Sequence, residues 1–198
     1  MHTPTPSYNE HRYGEELALW QAFRAGDQQA LGTLFDWYAQ PLFAYGHHIS
    51  DDDEAVKDAI QTVFVSLWAG RANLAAEVSV KFYLYGSVRR ELLKLRKDAR
   101  MWVEQPDASE SEPSTEQQLM ALEGDQHRTI KLSTSLALLS AREKEIVNLK
   151  YFNNFKIREI AAMLQLSEQT VSNLLYRALQ KLRNSLTLSL LLLMLAGL

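Results

Sequence analysis

Two groups of side chains in this 198-residue chain have the types and spacing to handle nucleic acid. The first is Gln169, Thr170, Ser172, Asn173, Tyr176, Arg177 and Lys181. On a helix these positions take the outer side, while Val171, Leu174 or Leu175, Ala178 and Leu182 turn inward. Amides and hydroxyls in such a set can read base edges in a major groove, and Arg and Lys can hold phosphates. The second group places Phe82, Tyr83 and Tyr85 just ahead of Arg89, Arg90, Lys94, Arg96 and Lys97, in a stretch (81–100) with seven basic and two acidic residues. Rings interleaved with cations suit single-stranded DNA, because the rings stack on bases while the cations follow the phosphates. The same composition also fits a solvated basic face laid over core aromatics.

Residue types for catalysis are missing. There is no glycine-rich phosphate loop and no nucleophile elbow. Without a single Cys there is no disulfide framework and no thiolate metal site. His47 and His48 are adjacent, so on a helix they diverge by about 100° and cannot share a ligand as an i, i+4 pair could. The acidic run from Ser50 to Glu54 fits a helix cap with carboxylates at the positive end of the dipole better than a metal site. No enzyme activity, cofactor or small-molecule substrate is expected.

The elements that must position these groups read as helices throughout. Lys156–Leu164 carries Ile157, Ile160, Ala161 and Leu164 on one face; Gln165 and Leu166 form a short turn; Ser167 can cap a second helix starting at Glu168. That is the outline of a helix-turn-helix, with the outer set on its second helix. Upstream, Glu15–Ala25 is amphipathic, Gly26 can end it, and Asp27 can cap a helix bearing Ala30, Leu31, Leu34, Phe35 and Tyr38. Pro41 stands where another helix can begin, its missing N–H costing nothing in a first turn. A stripe of Val56, Ala59, Ile60, Val63, Phe64, Leu67 and Trp68 marks the next helix. After a break over 70–79, Val80–Trp102 is helical again. No stretch alternates with period two, so the fold class is all-α.

Charge divides the chain. The net charge is −3, yet residues 104–127 carry seven acidic and no basic groups, and residues 128–198 carry ten basic against four acidic. With its Pro, Ser and Thr, the acidic stretch reads as a flexible linker between two small helical domains. The polar N-terminus lacks an apolar signal core and no apolar run reaches the roughly 18 residues that span a bilayer, so a cytoplasmic protein is expected. The apolar tail 185–198 falls outside this plan.

Taken in order, FDWYAQPLFAYG, DAIQTVFVSLW, YLYGSVRRELLKLRK and LSAREKEIVNLKYF…KIREIAAMLQLSEQTVSNLLYRALQKLR resemble the bacterial RNA polymerase sigma factors of the extracytoplasmic-function group. The resemblance covers 14–103 as region 2 and 130–184 as region 4, with 104–129 as linker. It implies core RNA polymerase and promoter DNA as partners, and allows an anti-sigma factor. It also implies that Asp58, Gln61 and Phe64 meet the polymerase clamp. Phe82, Tyr83, Tyr85, Arg89, Arg90, Lys94, Arg96 and Lys97 would melt and capture the −10 element, and the outer set from Gln169 to Lys181 would read the −35 duplex. The chain departs from the family at the turn, where Gln165 replaces a usual Gly, and at Leu174, where Arg is common. The competing reading is a helix-turn-helix transcriptional regulator of the response-regulator output type, but residues 1–103 show none of the strands a receiver domain needs.

Overall fold

In the computed structural model, residues 8–102 and 138–196 are described, with side chains at 14–97 and 138–185. The acidic linker lies outside the described residues. All regular elements among the described residues are helical. The chain divides into two units, 1–105 and 106–198.

The first unit contains α1 (Tyr8–Arg24), α2 (Gln28–Gly46), α3 (Asp53–Gly70) and α4 (Val80–Trp102). Gly26, at φ +102°, closes α1 in a conformation that glycine adopts without steric cost. Asp27 then caps α2 by accepting from the amides of Gln29 and Ala30. Asp52 caps α3 in the same way, accepting from Glu54 and Ala55, so the Ser50–Glu54 run is spent on helix initiation. Trp20, Phe23, Tyr45 and Tyr85 are completely buried at the centre. The Trp20 and Phe23 rings lie 5.4 Å apart, and Tyr45 and Tyr85 lie 5.0 Å apart.

One sequence expectation fails in α2. No new helix starts at Pro41, which lies inside a single helix from Gln28 to Gly46. Proline in a helix interior costs about 3 kcal/mol. Leu34, Tyr38, Leu42 and Tyr45 form one buried stripe running past the exposed Pro41. Each large apolar side chain so buried contributes about 1.5–3 kcal/mol, and together they outweigh the defect. Gly46 ends the stripe where α2 and α3 nearly touch: a Cβ there would lie 2.4 Å from Val56 Cγ1.

The break at 70–79 contains a 3-10 turn, Arg71–Asn73. It is tied down at both ends of its course. Arg71 donates to the Trp68 carbonyl and stacks 4.3 Å above the Trp68 ring. The Trp20 indole N–H donates to Ala75 O at 2.9 Å.

The second unit contains α5 (Ala141–Val147), a π-helical turn (Asn148–Phe152), α6 (Ile157–Leu164) and α7 (Glu168–Ala196). Its core is Leu139, Ile146, Leu149, Phe155, Ile160, Leu164, Val171, Leu175 and Ala178. Ser140 and Glu143 form a reciprocal capping box that starts α5. The backbone of α7 runs on as one helix through Leu186 to Ala196, the expected apolar tail.

Candidate nucleic-acid interface

The helix-turn-helix forms at the expected residues. Lys156 is the N-cap of α6, and Gln165 makes the turn in the left-handed conformation, φ 55° and ψ 46°. The Leu166 amide donates back to Ala161 O at 2.9 Å, which closes the helix end. Ser167 caps α7: its hydroxyl oxygen accepts from the Thr170 amide at 3.0 Å and lies 2.8 Å from the Thr170 hydroxyl. Val171, Leu175 and Ala178 are buried, whereas Leu174 and Leu182 are half-buried at the margin.

This packing turns Gln169, Thr170, Asn173, Tyr176 and Arg177 to solvent, while Ser172 is half-buried. Gln169 Nε2 donates to Asn173 Oδ1 at 3.0 Å, so one turn of the helix presents a pre-arranged pair of amides. Tyr176 is 64% exposed and its hydroxyl accepts from Gln180.

Lys181, also exposed, has a partner within the unit. Its ammonium lies 2.7 Å from Glu143 Oε2, joining α7 to the first turn of α5. The same carboxylate oxygen accepts from the Ser140 amide at 2.8 Å. Glu143 is buried, which by itself would push its carboxyl upward. The Lys181 ammonium and the two Ser140 hydrogen bonds outweigh that, and hold the group below its ordinary value. Lys181 thus ties α7 to α5 while its side chain stays at the surface. Beside it, Arg142 donates to the Leu164 carbonyl at 2.9 Å and to Glu145 at 3.1 Å. Sequence reasoning missed Arg142 and Glu143. The S-x-x-E spacing of Ser140 and Glu143 signalled the cap, but not the reach to α7.

On α4 the rings and cations separate. Tyr85 is completely buried against Tyr45, and burial pushes its phenol far up, so it is a core residue and not a stacking platform. Phe82 and Tyr83 are half-buried at the helix start, Tyr83 resting 5.6 Å from the Trp20 ring. At 3.6 residues per turn, Phe82, Arg89 and Arg96 fall along one line. Tyr83, Arg90, Lys94 and Lys97 fall along the line beside it. Arg90, Lys94, Arg96 and Lys97 are exposed and Arg89 is half-buried. Some of these cations are engaged locally: Arg90 with Ser87, Lys94 with Glu91, and Arg96 with the Ile49 carbonyl.

On α3, Asp58 and Gln61 are exposed, but Phe64 does not join them. It is buried edge-on against Phe35, 5.1 Å between centroids, in the floor of a shallow depression that Leu31, Gly32 and Trp68 also line. Phe64 presents little surface there, and Phe35, 42% exposed, is the more accessible ring. His47, at the end of α2, packs edge-on to Phe43 and lies 3.4 Å from Asp53. Among the described residues no group of three or more His, Asp or Glu could hold a metal ion, and no helix is long and apolar enough to cross a membrane.

Residues 129–182 match the family model for sigma-70, region 4. Over 153 residues the chain is 23% identical to RNA polymerase sigma factor SigZ of Bacillus subtilis (strain 168), covering 77% of this chain and 85% of that protein. Two solved structures share the fold. One is the complex of CnrH with the cytosolic domain of CnrY (TM-score 0.60, 19% identity, 87% of this chain and 97% of that one). The other is the complex of sigma factor RpoE with the anti-sigma factor NepR from Bartonella quintana (TM-score 0.58, 20% identity, 79% of this chain and 96% of that one). Residues 129–182 thus carry a sigma-70 region 4 over the helix-turn-helix, and across about three-quarters of its length the chain is similar to an RNA polymerase sigma factor.

Proposed function

We propose that this chain is a sigma factor of the extracytoplasmic-function group that joins core RNA polymerase and directs initiation at promoters whose −35 duplex is read by α7 and whose −10 strand is captured by α4. The observation that carries this reading is the outer face of α7. Gln169, Asn173 and Arg177 recur every four residues on its solvent side, at the N-terminal half of a capped recognition helix. That is where helix-turn-helix proteins present base-reading side chains. On α4, the two cationic lines headed by Phe82 and Tyr83 support capture of an unpaired strand. Exposed Asp58 and Gln61 on α3 support a contact with the polymerase clamp on a different helix. Residues 14–103 act as region 2 and 130–184 as region 4, with 104–129 linking them. The relatives solved with CnrY and NepR support an anti-sigma protein as a further partner.

Reconstitution with core polymerase tests the reading. The chain should restore start-site selection, and permanganate should detect promoter opening. Replacing Arg89, Arg90, Lys94 and Lys97 with Ala should leave polymerase binding in place and impair opening. Normal opening by that variant would reduce the face to solvated surface. A chain that never associates with core polymerase would refute the function as a whole.

A further inference from the structure

The first turn of α5 holds both helices of the helix-turn-helix at once. Arg142 Nη2 grips the Leu164 carbonyl, one residue before the left-handed Gln165 that sets the turn. Its neighbour Glu143 grips Lys181, 38 residues away on α7, while the same oxygen stays bound to the Ser140 amide. Glu143 is only 3% exposed, so its charge is committed to these partners. Lys181 lies 13 residues beyond Glu168, about 20 Å along the helix axis at 1.5 Å per residue. The tie is thus far from the base-reading end, and there a small rocking of α7 becomes a larger displacement of Gln169 and Asn173.

We propose that Arg142 and Glu143 are positioning residues for promoter discrimination, fixing through Leu164 and Lys181 the angle at which α7 presents its amides. This rests on the −35 reading above. The mechanism is geometric: a hydrogen-bonded base contact tolerates little misplacement, whereas a phosphate contact through a long cation tolerates more. Loosening the clasp should cost discrimination before it costs non-specific affinity.

The test uses the full chain with core polymerase and two duplexes, one enriched from a randomised library by the wild-type complex and one of mixed sequence. Lys181→Met is expected to lower affinity for the enriched duplex about tenfold and to leave the mixed duplex and the log–log salt slope unchanged. The exchanged pair Glu143→Lys with Lys181→Glu should recover the preference to within about threefold. A slope reduced by about 0.9 with the preference intact would identify Lys181 as a phosphate contact and overturn the proposal. The exchange also removes the carboxylate that caps the Ser140 amide, so where the exchanged pair does not fold, or folds and recovers nothing, Arg142→Gln decides: it cuts only the Arg142 ties, and a preference equal to wild type overturns the clasp. A wild-type complex that enriches no duplex would instead refute the −35 reading itself, so the two failures are distinct.

Discussion

Gln165 is a residue under local strain with an identifiable remedy. A non-glycine side chain at φ 55° costs about 1–2 kcal/mol, part of which glycine would return in unfolded-state entropy. Gln165→Gly should therefore stabilise the second unit by about 0.5–1 kcal/mol, read as a higher melting temperature. An equal or lower value would mean that the turn gains from the Gln side chain. Glu143 supplies a pH signature. Its folded carboxyl titrates below the ordinary value of 4.5, so its contribution is fully present above about pH 4.5 and is lost as pH falls through the folded value. Glu143→Gln should cost about 1.5–3 kcal/mol near pH 7, the range for hydrogen bonds made by a charged group. That gap should close in acid. A gap that stays constant down to pH 3 would exclude the ionised carboxylate as its source. The capping roles of Asp27 and Ser167 were legible in the sequence, because caps depend on neighbours in the chain. The Glu143–Lys181 tie was not, because it joins residues 38 apart.

Among the elements, the α2–α3 approach is the most sensitive. A Cβ on Gly46 would sit 2.4 Å from a methyl of Val56, whose side chain is fully buried. Gly46→Ala should destabilise the first unit by about 1–3 kcal/mol, as overpacking does. Adding Val56→Ala should recover part of the loss, and a double-mutant cycle in denaturant would measure the coupling. Strictly additive effects would mean that α2 and α3 do not meet there. The limits of α4 and the inward stripe of α3 followed from periodicity alone. The composition of α4 fitted either strand capture or core aromatics, and only the packing of Tyr45 against Tyr85 decided for the core there. Pro41 misled for the complementary reason: a local signal for a helix start was overridden by a buried stripe that continues past it.

At the scale of the molecule, each unit has its own apolar centre. Fragments 1–105 and 106–198 should each unfold cooperatively; a fragment without a transition would refute that independence. Truncation after Asn184 addresses the apolar end of α7. It should leave DNA and polymerase binding within about twofold and shift melting temperature or solubility, since so apolar a segment is rarely left in water. No change in any of these would show that the segment is neither core nor contact surface.

The sequence by itself determined the all-helical class, the helix-turn-helix with its turn and cap, and the outer face of the recognition helix. Those properties reside in spacing within a few turns, where 3.6-residue periodicity and capping chemistry act. Tertiary structure alone decided which candidates remain available at the surface. It closed Tyr85 into the core against Tyr45, left Phe82 and Tyr83 half-buried, and tied Lys181 to Glu143. Helical spacing gives a residue's angle about its own axis, but burial and ion pairing depend on which distant element packs against that angle.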